Sequence, residues 1–217
     1  MISRLQYISQ ELDGKYHVEN IEEACQAGID WVQLRVKDKD LEEIEEIAFA
    51  AQAICEKYGA KMIVNDYVEI AKAVRAQGVH LGQSDMDPLE ARDILGSRPY
   101  IGATANTWEE VELLYDTKVV DYIGLTPYKT SMSREDTTPE LGLRGYSNIL
   151  NNMIIHDIDL PMIGVGGIEM SDIIDIQMSG CHGIAVASLI NNSFDKKATV
   201  SEIKMHLPDG DFDMEKM

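Results

Sequence analysis

The chain is short of basic residues, short of cysteine and without a long apolar run. Its 19 Lys and Arg stand against 38 Asp and Glu, a formal charge of −19 at pH 7. Nucleic-acid binding takes its affinity from clustered Lys and Arg on phosphates, and docking on an anionic membrane relies on the same residues, so neither partner is expected. A small anionic substrate stays open, because a pocket can be locally basic on an acidic protein. The three cysteines, Cys25, Cys55 and Cys181, are widely separated and form no zinc pattern; they read as reduced packing residues. Met1 to Lys15 has neither an apolar signal core nor a cleavage pattern, and no apolar run approaches transmembrane length. A cytoplasmic protein is expected.

What remains is an ordinary globular balance over 217 residues, 45% hydrophobic and 26% charged, enough for one domain with a substantial core. Short apolar runs alternate with helical patterns. Strands are expected over 5–9, 31–35, 62–65, 78–81, 100–103, 122–124, 162–165 and 183–187. These runs show little alternation, as parallel strands buried on both faces do. Helices are expected over 18–27, 41–58, 67–76, 88–95, 108–114, 146–156, 170–178 and 198–206. Gly59 reads as a helix stop and Pro88 as a first-turn proline. Eight strand–helix units in this length predict a (β/α)₈ TIM barrel over 1–207, with a doubly wound sheet as the other arrangement. Residues 126–144 read as one long irregular stretch and a candidate active-site loop, and 208–217 as a flexible tail.

In such a barrel the chemistry sits at the C-terminal strand ends. Alternation turns Gln33, Arg35 and Lys37 to the mouth. Inward cations there need an anion, supplied either by a ligand or by a barrel carboxylate. Asp66 and Asp85 fall at neighbouring strand ends, each able to be a helix cap or half of a cation site. Magnesium suits two carboxylates completed by phosphate oxygens and water. His80 reads as a satisfied packing residue, and Thr104 can offer a hydroxyl. Lys129, Thr130, Ser131, Ser133 and Arg134 give the long loop hydroxyls and charge suited to closing over phosphates. Gly166 and Gly167 after the seventh strand, with Ala187 and Ser188 after the eighth, occupy the recurrent barrel phosphate site.

Together the segments Gln33-Leu-Arg35-Val-Lys37, Asn65-Asp66, His80-Leu-Gly-Gln-Ser-Asp85 and Gly164-Val-Gly-Gly-Ile168 resemble the thiamine-phosphate synthase family, from about Leu5 to Ile190. The resemblance implies an enzyme that joins a hydroxymethylpyrimidine diphosphate to a thiazole phosphate, releasing pyrophosphate by a dissociative route, and that works as a homodimer with Mg²⁺. It implies that Gln33, Arg35, Lys37 and Asn65 bind the pyrimidine diphosphate and that Asp66 and Asp85 hold the metal. Thr104 takes the place of a usual serine near the pyrimidine, and Gly166, Ala187 and Ser188 hold the thiazole phosphate. Where the family commonly has Thr-x-Thr-Lys, this chain has Ser131-Met132-Ser133-Arg134, and Thr126 replaces a usual glycine. Ser131, Ser133 and Arg134 are thereby expected at the substrate. A related thiazole tautomerase uses a histidine soon after the fifth strand, where this chain reads Ala105-Asn106-Thr107. A sugar-phosphate isomerase would explain the glycines but not the metal and diphosphate cluster. A non-catalytic paralogue that binds a thiamine precursor would rest on the altered loop alone.

Overall fold

The computed structural model describes residues 1–12, 14–130 and 138–207. Eight parallel strands close into a barrel in sequence order, with β8 returning to pair with β1. The strands are β1 (Leu5–Ile8), β2 (Trp31–Leu34), β3 (Lys61–Asn65), β4 (Gly78–Leu81), β5 (Tyr100–Ala105), β6 (Tyr122–Leu125), β7 (Met162–Val165) and β8 (Gly183–Val186). Around them run α1 (His17–Gln26), α2 (Leu41–Tyr58), α3 (Val68–Ala73), α4 (Pro88–Leu95), α5 (Trp108–Asp116), α6 (Gly142–Ile155), α7 (Ile173–Met178), α8 (Ser188–Asn191) and α9 (Lys196–His206). The closed strand order excludes the doubly wound sheet. The expected tail, 208–217, lies outside the described residues.

The strands do alternate, but between two kinds of interior. Outward side chains such as Val32, Leu34, Val64, Leu81, Ile101, Ile123 and Ile184 join the helices in one apolar cluster. Inward side chains at the lower end, Trp31, Ile63, Tyr122, Ile163 and Ala185, form a second cluster inside the barrel. One pleat further along, the inward side chains turn polar: Gln33 follows Trp31, Asn65 follows Ile63, and Thr104 follows Gly102. The barrel is therefore plugged below and chemically equipped above.

Several boundaries differ from the sequence expectation, and two of them bear on the mouth. β2 ends at Leu34, so Arg35 lies just past the strand. α6 begins at Gly142, inside the stretch 126–144 expected to be a loop. The four-residue α8 after β8 was not anticipated, because one turn is too short to show a helical period. No described helix is long and apolar enough to cross a membrane.

Candidate active site

Two adjoining cavities open at the C-terminal ends of the strands. The first, about 120 Å³, lies over the barrel axis and reaches from Gln33 and His80 to Gly166, Ala185 and Ala187. The second, about 330 Å³, lies to one side and carries Lys37, Asp66, Ser84, Asp85, Asn106 and Thr138. Arg35, Asn65 and Thr104 line both, so the cavities meet at those three side chains.

Each strand end sets its residue by a local device. Past β2, the backbone N–H of Arg35 donates to Ser9 Oγ (3.1 Å), and Ser9 pairs with His17 Nδ1 (2.9 Å). This fixes the chain where it leaves the strand and leaves Arg35 half-buried at the junction, with Lys37 exposed further out. At the end of β3, Asp66 adopts φ 68°, a left-handed conformation uncommon for a residue with a side chain and frequent at functional turns. Its N–H donates to the His80 carbonyl (2.9 Å), which ties the turn to β4. Past β4, the Gly82 N–H donates to Asp85 Oδ2 (2.6 Å) and holds that carboxylate over the loop.

Neither aspartate is a helix cap. Asp87 caps α4 by accepting from the Leu89 N–H (2.8 Å), and Tyr67 occupies the N-cap of α3. Asp66 and Asp85 instead meet at the second cavity. Burial, followed by the hydrogen bond and like charge of Asp85, pushes the Asp66 carboxyl up to about 7, while Arg35 and Lys37 pull the other way. Two carboxylates so placed share a proton or take a cation between them. Among the described residues no group of three or more His, Cys, Asp or Glu is gathered as a complete metal site. The pair thus offers two protein oxygen donors and leaves the rest of an octahedral shell to a ligand and water, which suits magnesium.

On the far side, Gly166 (φ 103°) and Gly167 (φ 59°) end β7 in left-handed backbone. A Cβ on Gly166 would lie 3.1 Å from Pro127 Cα, and one on Gly167 would lie 2.9 Å from Lys129 Cβ. The glycines are needed for more than a turn, because the segment after β6 lies directly on them. The Tyr128 N–H donates to the Val165 carbonyl (2.8 Å) and the Lys129 N–H to the Gly166 carbonyl (3.0 Å). Lys129 Nζ donates to both Asp172 oxygens (2.8 and 2.7 Å), and the Thr130 N–H donates to Glu140 Oε1 (2.6 Å). Both residues therefore hold the stem of the loop, contrary to their expected place over phosphates. Ala187 stands on the first cavity at the start of α8, whereas Ser188 is exposed and on the wall of neither cavity. Ser131, Ser133 and Arg134 lie outside the described residues.

The sequence matches the family model for thiamine monophosphate synthase over residues 5–190. A thiamine-phosphate synthase of Flavobacterium johnsoniae is 40% identical over 207 residues, covering 95% of this chain and 97% of that protein. The chain belongs to the thiamine monophosphate synthase family. Another member, from Phocaeicola vulgatus, is 39% identical over 199 residues, covering 92% of this chain and 95% of its own. The solved structure of a thiamine phosphate pyrophosphorylase from Pyrococcus furiosus superposes with a TM-score of 0.81 at 28% identity, covering 94% of this chain and 95% of that one.

The thiamine monophosphate synthase match spans every residue named at the mouth, from Ser9 to Ala187. Several of them escape sequence reading. Gln10 lines the first cavity and Asn106 the second, and Asn106 Nδ2 donates to the Thr126 carbonyl, joining the loops after β5 and β6. Their only signal was a place one or two residues past an apolar run, which ordinary loop residues share. Tyr122, an apparent core aromatic, is a buried hydrogen-bonding partner of His80 (3.1 Å).

Proposed function

We propose that the protein is a thiamine-phosphate synthase, joining 4-amino-5-hydroxymethyl-2-methylpyrimidine diphosphate to 4-methyl-5-(2-hydroxyethyl)thiazole phosphate. The observation that carries this reading is the meeting of two cavities at Arg35, Asn65 and Thr104, one edged by a carboxylate pair with two cations and the other by the β7 glycines. The diphosphate belongs with Arg35, Lys37 and the carboxylates. The pyrimidine belongs at the junction with Gln33, Asn65 and Thr104, and the thiazole phosphate with Gly166, Ala187 and Ser188. Arg134, with Ser131 and Ser133, is assigned to the diphosphate side on sequence alone.

The reaction breaks the bond from the pyrimidine methylene carbon to the diphosphate oxygen, and the electron pair leaves with pyrophosphate. The thiazole nitrogen then donates its lone pair to the methylene cation. The nitrogen carries no proton, so no general base is required. Arg35 and Lys37 stabilise the charge that grows on the departing oxygens, where preorganised donors count most. Asp66 and Asp85 would hold Mg²⁺, which when bound neutralises the diphosphate and makes it a better leaving group. The apolar floor of Trp31, Ile63 and Ile163 closes the barrel below the reacting atoms and keeps solvent from entering from that side.

The deciding assay incubates the protein with both precursors and Mg²⁺ and follows thiamine phosphate and pyrophosphate together. Equal release of both supports the synthase. Precursor binding without product favours a non-catalytic paralogue. The family's homodimer is the proposed assembly, to be read by sedimentation velocity. The cytoplasm is the proposed site of action, consistent with three buried free thiols.

A further inference from the structure

Five polar side chains from five strands form one hydrogen-bonded chain across the barrel interior. Gln33 Nε2 donates to Gln6 Oε1 (2.9 Å), and Gln6 Nε2 makes a long contact with Tyr122 Oη (3.5 Å). Tyr122 Oη lies 3.1 Å from His80 Nδ1, and His80 Nε2 lies 3.0 Å from Thr104 Oγ1. Gln6, Gln33, His80 and Tyr122 are buried, whereas Thr104 is half-buried on both cavities. The two ends of the chain are thus residues proposed to hold the pyrimidine; Gln6 and Tyr122 between them are closed to solvent, and His80 reaches the wall of the first cavity.

The barrel makes room for this chain. A Cβ on Gly102 would stand 2.1 Å from Tyr122 Cζ, and one on Gly124 would stand 3.0 Å from His80 Cε1. Side chains are missing from β5 and β6 where the two rings pass. Trp31 then braces the phenol edge-on at 5.1 Å.

The direction of the chain follows from proton accounting. Tyr122 is fully buried, so its phenol proton needs an acceptor. The Gln6 amide presents an N–H to the same oxygen, which leaves His80 Nδ1 as the acceptor. The imidazole proton is then on Nε2 and is donated to Thr104. With its oxygen engaged as acceptor, Thr104 turns its own proton to the cavity. At the other end Gln33 spends an N–H on Gln6 and keeps its carbonyl oxygen for the cavity.

We propose that His80 and Tyr122 are positioning residues that fix the Thr104 hydroxyl as a donor and, through Gln6, Gln33 as an acceptor. This donor–acceptor pair selects an aminopyrimidine over its 4-oxo counterpart. An aminopyrimidine placed between the two ends offers its exocyclic amine as a donor to Gln33 and a ring nitrogen as an acceptor to Thr104, which matches the pair. The oxo compound puts a carbonyl where the amine stood and sets it against the Gln33 oxygen, leaving two acceptors opposed in a buried site. The proposal rests on the synthase reading for its substrate, but the chain itself is a property of the ligand-free protein.

The test has two arms. Nitrogen-15 NMR of the uniformly labelled protein, with His80 identified among the five histidines by His80→Gln, reads the tautomer directly. A protonated Nε2 and bare Nδ1 are expected; the reverse tautomer, with both amides turned, overturns the proposal whether or not the protein is catalytic. In kinetics, Tyr122→Phe and Thr104→Val are each expected to raise KM for the pyrimidine diphosphate about tenfold, the scale of one hydrogen bond, and to leave KM for the thiazole phosphate unchanged. The double variant should be no worse than Thr104→Val alone, because the phenol acts through the threonine. Independent, additive losses, or equal turnover of the 4-oxo substrate, overturn it. Absence of thiamine phosphate from the unaltered protein would defeat the synthase reading and leave the NMR arm standing.

Discussion

Asp66 and Asp85 share a hydrogen bond between the ends of β3 and β4, and burial with that contact pushes Asp66 up to about 7. A carboxylate pair in this condition is under repulsion until a cation or a proton intervenes. Removing either charge therefore has opposite effects on function and on the metal-free fold.

Asp66→Ala is expected to lower magnesium-dependent turnover by about two orders of magnitude, since a metal ligand stabilises several kcal/mol of transition-state charge. Asp66→Asn should lose turnover similarly while the metal-free protein melts at the same or a higher temperature. Steady-state assays across a magnesium series and parallel thermal melts check both. Full activity in either variant would sink the metal assignment.

Arg35 is held at its backbone by Ser9, so its guanidinium reaches the junction from a fixed base. Arg35→Lys keeps the charge but loses the planar fork that grips two oxygens at once. KM for the pyrimidine diphosphate should rise about tenfold or more, with a smaller fall in kcat. An unchanged KM would mean that charge alone suffices there.

His17 supplies a pH dependence beneath the same strand end. Burial holds its imidazole below the ordinary range, with Glu11 opposing and Lys39 adding to the effect. Ser9 Oγ, which accepts from the Arg35 N–H, lies 2.9 Å from His17 Nδ1, and burial favours the neutral ring there. The unfolded chain takes up the proton first as pH falls, so this contribution to stability is complete above about 6.5 and is lost below it. His182 is shifted in the same direction by burial. Melting temperature measured from pH 7.5 to 5 should fall less steeply in His17→Asn than in the unaltered protein. Parallel curves would remove His17 from the account.

The barrel was legible because its signal is redundant: eight apolar runs, each followed by a helical period, fix the closed order even when single boundaries slip. The mouth residues were legible where charge sits at a strand end, as with Arg35, Asp66 and Asp85. Lys129 was misread because its composition suits a phosphate equally well, and only the structure brings Asp172 beside it. Tyr122 and Gln6 were invisible as polar partners, because a tyrosine or glutamine inside a strand pattern carries no mark of what its polar end meets.

The loop departure gives its own test. Arg134→Lys restores the residue common in the family and is expected to leave thiamine phosphate formation intact or raise it. A large loss would show that Ser131, Ser133 and Arg134 form a set of their own.

Gly167 lies under the segment that follows β6, on the β7 side of the mouth. Its φ of 59° and the 2.9 Å approach of Lys129 to a built Cβ make any side chain there push against Lys129 and Thr130. Gly167→Ala is expected to cost about 1–3 kcal/mol, or very roughly 2–12 °C of melting temperature for a chain of this size. The displaced segment lies on the β7 side, away from the carboxylate pair. KM for the thiazole phosphate should therefore rise while KM for the pyrimidine diphosphate stays within about twofold, surface-remote changes being small at a distant site. Gly166→Ala, which lines the cavity itself, should give the larger thiazole effect for a similar loss of stability. Equal rises in both constants would show that the end of β7 does not discriminate the two substrates, and the thiazole phosphate would have to be moved from this side of the mouth.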